Sequence, residues 1–184
     1  EAEHAPMLTL IMGMAACMAI EKITGLTAEI KWPNDVVINK KKTTGILTEM
    51  GMSEGKISYV VVGIGINLNM ESFPEELAYK ATSLKIECGH EINRDEIAAA
   101  LLFYFEQYYE KFEQTHNLGF LIEEYNNHLV NRGKEVLIKE KDGEYTGISR
   151  GINDKGELLV EKKDGNCVEI FSGEVSVRGL YGYV

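Results

Sequence analysis

Two lysines and a carboxylate stand at a spacing that suits anion chemistry. Lys31-Trp32-Pro33-Asn34-Asp35 is followed, eleven residues after its first lysine, by Lys42 and then Gly45-Ile46-Leu47. A fixed ammonium such as Lys42 can balance the charge of a phosphate and of a carboxylate attacking it. Its alternative is a solvated place at the tip of the run Lys40-Lys41-Lys42. Asp35 can hold a metal ion or steer an incoming amine, or it can serve as a turn residue bonding nearby backbone amides. Further on, Gly63-Ile64-Gly65-Ile66-Asn67 ends an apolar run. Glycines inside a strand mark either tight strand packing or the close approach of a ligand. An amide such as Asn67 at the strand end can read a purine edge with both donor and acceptor. The glycines are no dinucleotide fingerprint, since the third glycine is missing and no helix follows at once.

Strands are expected to position these groups. Proline cannot donate to a sheet ladder and holds the preceding residue extended, so the Trp32-Pro33 corner belongs at a strand end. Strands are expected at about 27–32, 36–39, 44–50 and 57–68, with the Lys40-Lys41-Lys42 run at one hairpin turn and Ser53-Glu54-Gly55-Lys56 at the next. The β-branched run Ile57-Ser58-Tyr59-Val60-Val61-Val62 reads as a central strand. Before them, Pro6 to Thr24 is nearly all apolar and reads as a buried helix stopped by Gly25. It follows Glu1-Ala2-Glu3, where a signal peptide would carry positive charge. Asn93 with Glu96 forms a capping-box pattern opening a helix whose Ile97, Leu101, Tyr104, Phe105, Tyr108 and Phe112 make a core stripe. A second helix is expected from Leu118 to Val130.

The texture changes at Asn131-Arg132-Gly133. Short alternating strands follow, punctuated by Asp142-Gly143, Asp154-Lys155-Gly156 and Asp164-Gly165-Asn166, as in a small antiparallel barrel of about five strands. Two domains are expected, a mixed α/β domain over 1–131 and an all-β one over 132–184. The 184 residues suffice for one core with a small satellite. A net charge of −10 argues against a nucleic-acid surface, which needs a basic face. Cys17, Cys88 and Cys167 are odd in number and match no metal spacing, and a reduced, cytoplasmic protein accounts for them. His4, His90, His116 and His128 fall in no ligand or triad spacing and read as surface or structural.

These residues, in this order, resemble the biotin protein ligase family. The matching pieces are Lys31 to Asp35, Lys42 with Gly45-Ile46-Leu47, and Gly63 to Asn67. In the small domain, Gly147-Ile148-Ser149-Arg150-Gly151-Ile152 and Gly173-Glu174-Val175-Ser176-Val177-Arg178 look like that family's C-terminal barrel. The resemblance implies an α/β fold with a mixed sheet and packed helices, of the class II synthetase and lipoyl ligase type, followed by an SH3-like barrel. It implies that biotin and Mg-ATP form biotinyl-5′-adenylate, and that the acyl group passes to a lysine of a biotin carboxyl carrier domain.

By the same resemblance, Lys42 would touch the biotin carboxyl and the α-phosphate; Asp35 is taken as a further catalytic group and Mg2+ ligand from its own chemistry. Gly45, Ile46, Leu47, Lys31, Trp32 and Asn34 would bind substrate; Asn67, Gly65 and Arg178 would bind the nucleotide. The family's Gly-Arg-Gly-Arg loop, which folds over biotin and the adenylate, occurs nowhere in the 184 residues. The expectation is therefore a C-terminal piece of a longer ligase, with little or no ligation activity by itself. Neither a membrane nor a nucleic acid is an expected partner of this piece, and monomer and sheet-edge homodimer both stay open. The rivals are a lipoyl ligase, against which the Trp32-Pro33 corner and the barrel argue, and a non-catalytic interaction module.

Overall fold

The computed structural model describes residues 4–140 and 143–171, together with the backbone of 176–179. The apolar N-terminal segment forms α1 (Ala5–Thr24), ended by Gly25 in the left-handed conformation. By length and composition α1 could cross a membrane, but two-thirds of it is buried inside the protein. Its small residues let it lie close on a sheet: a Cβ at Gly13 would stand 3.6 Å from Ile46 Cδ1, in van der Waals contact. That sheet contains β1 (Glu29–Lys31), β2 (Asp35–Ile38), β3 (Lys41–Ser53) and β4 (Lys56–Ile66), paired antiparallel in that order. Among the described residues, parallel contacts are limited to the isolated bridges Ile30 with Leu129 and Lys42 with Ala81.

Several expectations shift. The first hairpin turns at Asn39 and Lys40, both with positive φ, so Lys41 and Lys42 already belong to β3. Positive φ at two successive residues is the twist that two-residue hairpins favour. The second hairpin repeats it at Glu54 and Gly55. Among the described residues β4 lies at the sheet edge and is not central, and Tyr59 and Val61 are exposed on it. A β-branched run reports strand propensity and carries no information on how many neighbours the strand has.

Two short helices, α2 (Glu75–Ala78) and α3 (Leu84–Cys88), follow β4. Neither is long enough to show a helical period in sequence. The Asn93 side chain caps α4 (Arg94–Thr115) by accepting from the Asp95 N–H, and the helix packs on α1 through Ile97, Leu101, Tyr108 and Phe112. The expected helix over 118–130 shrinks to α5 (Ile122–His128). The rest is a five-stranded antiparallel sheet in the order β8-β7-β6-β5-β9, made of β5 (Glu135–Glu140), β6 (Gly143–Ile152), β7 (Leu158–Glu161), β8 (Cys167–Ile170) and β9 (Ser176–Gly179). All three cysteines are free, and burial pushes the Cys17 thiol well above its usual pKa.

One buried hydrogen bond joins the two sheets. Trp32, almost wholly enclosed in the turn between β1 and β2, donates its indole N–H to the Gly156 carbonyl at 3.0 Å. Gly156 has φ +78°, and a Cβ there would stand 2.8 Å from Leu10. Trp32→Phe strands that carbonyl, and we expect it to lower unfolding stability by about 1–3 kcal/mol. Denaturant unfolding would check this, and an unchanged midpoint would show that the bond carries no net stability.

Candidate functional site

Four of the expected site residues form one row across the first sheet. Lys31 pairs with Asp35, Asp35 with Gly45, and Gly45 with Gly65, each directly across a strand boundary. Directly opposed residues share a sheet face, so all four present the same side. Lys42 should not join them, because it is three residues from Gly45 and a regular strand would send the two to opposite faces. A β-bulge corrects this. Val36 pairs with Thr44 while Val37 pairs with Lys42, leaving Thr43 as one extra residue in β3. The bulge returns Lys42 to the face of Val37, Asp35 and Gly45.

The Lys42 ammonium forms an ion pair with Asp35. Its side chain lies across Gly45, where a Cβ would meet both Cε and Nζ at 3.1 Å. Gly65 has open space above it. Leu47 stands two residues further along the same face, exposed and opposite Gly63.

A cavity of about 960 Å3 opens over this row. Lys31, Asp35, Lys42, Gly45, Gly65 and Asn67 all line it. Its charged side chains near the row are Lys31, Lys42 and Asp35, and Lys80 adds a third cation from the far wall. Three lysines against one aspartate make a local anion site in a chain of net charge −10. Asn67 closes the end of β4, its N–H bonded to the Thr43 carbonyl at 2.8 Å. Its side-chain amide donates to the Thr82 carbonyl at 3.1 Å, which leaves Oδ1 as an acceptor.

Other expected residues do not line the cavity. Trp32 joins the two sheets, as described above. Asn34 clamps β3 from behind: its carbonyl accepts the Ile46 N–H at 2.9 Å and its amide donates to the Ile46 carbonyl at 3.0 Å. The Ile46 side chain faces α1 and the core. Arg178 pairs with Leu137 through the backbone, and its side chain lies outside the described residues, as do Gly173 to Val175. For a metal, Asp35 is a single carboxylate already paired with a lysine, and no three His, Cys, Asp or Glu side chains converge among the described residues. Such a site suits only an ion that arrives with ligands of its own.

Sequence reasoning missed the far wall, which comprises Met70, Phe73, Pro74, Leu77, Tyr79, Lys80 and Ala81. The available signal was a stretch between β4 and α3 carrying Phe73, Leu77 and Tyr79 without the period of a long helix or strand. Apolar groups held on a loop over a rigid sheet are common at binding sites.

Comparison with known proteins bears on the family and the fold. Residues 1–67 match the Biotin/lipoate A/B protein ligase family, and residues 133–178 match the Biotin protein ligase C terminal domain. The bifunctional ligase/repressor BirA of Bacillus subtilis is 36% identical over 177 residues, which take in 95% of this chain and 54% of BirA. The apo structure of biotin protein ligase from Aquifex aeolicus superposes with a TM-score of 0.85 at 33% identity, covering 96% of this chain and 76% of that one. The same ligase in complex with biotin and ATP gives a TM-score of 0.83 at 33% identity, covering 95% and 72%. The chain spans about half the length of the curated BirA relatives it matches.

The seat of Lys42 is open to test. Gly45 does not have a left-handed φ, so Gly45→Ala should fold while its methyl group pushes the lysine end away from Asp35. Labelling of Lys42 by an amine-reactive reagent, followed by mass spectrometry, is expected to quicken severalfold. An unchanged rate would show that the lysine does not rest over Gly45.

Proposed function

The chain belongs to the biotin protein ligase family, and we propose that it supplies the lysine-bearing part of a site that activates biotin with ATP and passes it to a carrier lysine. The observation that carries this reading is the bulge that sets Lys42 over Gly45 beside Asp35. The ammonium there can bind a carboxylate oxygen of biotin and an oxygen of the α-phosphate together. A carboxylate oxygen then bonds to the α-phosphorus while the bond to the β-phosphate oxygen breaks, and pyrophosphate leaves. Charge gathering on the phosphoryl oxygens is met by Lys42, with Lys31 and Lys80 on the same cavity.

In the second half the carrier's lysine nitrogen bonds to the acyl carbon and AMP departs as the leaving group. Asp35 is placed to orient that amine and take its proton. Before ligand binds, Asp35 is the counterion of Lys42. Biotin and phosphate would draw the ammonium to themselves and free the carboxylate for the amine. Gly45, Gly65 and Leu47 form a low, apolar floor suited to the biotin chain, with the Ile46 backbone behind it. The free Oδ1 of Asn67 suits the exocyclic amino group of adenine. Mg2+ would enter as the ion of Mg-ATP, with Asp35 the protein carboxylate within its reach. A role for Arg178 at the nucleotide phosphates rests on the family resemblance.

We read residues 1–131 and 132–184 as separate domains and the cytoplasm as the working compartment. The exposed edge of β4 suits strand addition by a carrier domain or a second copy. The C-terminal match is to the biotin ligases, which favours biotin over lipoate as the acyl substrate.

In the full-length protein, Lys42→Ala is expected to lower biotin-dependent exchange of pyrophosphate into ATP at least about a hundredfold. A rate near wild type would sink the assignment of Lys42. Lipoate that replaced biotin in the same assay would move the reading to a lipoyl ligase.

A further inference from the structure

The cavity's far wall is fastened to its lysine strand through one buried threonine. Thr82 is 1% exposed and does not line the cavity, yet all three of its polar groups are engaged next to it. Its N–H donates to the Lys42 carbonyl at 2.9 Å, next to the Lys42 N–H that donates to the Lys80 carbonyl at 2.8 Å. Its carbonyl accepts from the Asn67 side chain at 3.1 Å. Its hydroxyl donates to the Glu87 carboxylate at 2.6 Å.

The loop that begins after Asn67 and supplies Met70, Phe73, Leu77, Tyr79 and Lys80 to the cavity is thus closed at its base. Asn67 at its start and Thr82 at its end are clasped together, and Lys42 is zipped to the same point. Backbone groups alone could make the first two bonds at any residue. The hydroxyl–carboxylate bond is what depends on the side chain here. Glu87, half-buried on α3, also accepts from Asn39 at 2.5 Å in the turn that precedes Lys42. One carboxylate therefore holds both the base of the loop and the hairpin turn that opens the lysine strand.

We propose that Thr82 and Glu87 are a positioning pair for the adenylation step, locking the nucleotide-facing loop, Asn67 and Lys42 into one geometry. The assignment rests on the ligase reading given above. Neither residue touches substrate; both act through Lys42 and Asn67. Asn67 and the loop face the nucleotide, and Lys42 meets both the α-phosphate and the biotin carboxylate, so the pair bears more on ATP than on biotin, whose chain rests on the floor of Gly45, Gly65 and Leu47.

The test is steady-state pyrophosphate exchange by the full-length protein, with ATP and biotin varied separately. Thr82→Val keeps the shape and loses the hydroxyl. It is expected to lower kcat/KM for ATP roughly tenfold or more, the worth of a hydrogen bond to a charged acceptor, with KM for biotin moving less than KM for ATP. Thr82→Ser, which keeps the hydroxyl, recovers most of that loss. Glu87→Ala reproduces the Thr82→Val phenotype from a half-exposed position, and combining the two adds little, as expected for partners in one bond. It also keeps the question answerable if Thr82→Val does not fold.

Wild-type ATP kinetics in Thr82→Val or Glu87→Ala would overturn the proposal. So would an equal loss for ATP and biotin that serine does not restore, since that pattern belongs to a general structural role. A wild-type protein without biotin-dependent exchange would overturn the ligase reading itself, and this assignment with it. Exchange by wild type that Thr82→Val matches would overturn the positioning pair alone.

Discussion

One extra residue in one strand decides which way the central cation of this protein points. Without the bulge at Thr43, Lys42 would share a face with Thr44, whose neighbours Val36 and Ile46 are buried against α1. An ammonium on that side would have to leave water for an apolar core, at a cost no ordinary strand can meet. With the bulge, the same residue crosses to the open side and finds Asp35. The alternation of a strand is strict enough that no side-chain rotamer could produce this change. The ladder itself has to be broken once, and the bulge lies next to the groups it serves.

The surroundings make that irregularity tolerable. On the buried side, β2 is covered by α1, whose small residues allow close contact, and Asn34 grips β3 by two hydrogen bonds immediately beyond the bulge. Beyond the end of β4, the free edge of β3 at Lys42 finds backbone partners in Lys80 and Thr82. The loop that walls the cavity thus takes over the edge of β3 that β4 leaves at Ile66. Trp32 fixes the corner at the other end of Asp35's strand against the second sheet. Rigid elements thus carry the floor, and a tethered loop carries the wall.

Much of this could be read from residue order. The lysine-to-lysine spacing, the corner between two strands, the apolar helix closed by Gly25 and the turn-punctuated C-terminal strands all depend on local patterns, which a sequence displays directly. The bulge was not legible, because Lys42-Thr43-Thr44 has no residue that marks an extra position. For the same reason Lys42 was placed in a turn that ends two residues earlier, at Lys40. Trp32 belongs to a recognisable motif and was expected at the substrate. Its indole partner lies 124 residues away, and sequence alone cannot show a contact of that range. Thr82 and Glu87 stayed invisible because a hydroxyl and a carboxylate five residues apart are commonplace until a fold brings Lys42 and Asn67 beside them.

The row from Lys31 through Asp35 and Gly45 to Gly65 also acts as a ruler. Adjacent strands lie about 4.8 Å apart, so three steps measure roughly 14 Å, marked off by hydrogen bonds that cannot stretch. Distances along this scale are set by strand pairing and stay the same whichever side chains stand on it. Its graduations, however, are calibrated elsewhere. Which residue of β4 faces Gly45 is decided at Glu54 and Gly55, where the hairpin reverses, together with the register shift between Gly51 and Met52, all well away from the row. A change of loop length at that distant tip would slide one edge of the scale past the other and replace Gly65 by a neighbour pointing the opposite way. The part of the molecule farthest from the chemistry therefore keeps its measure.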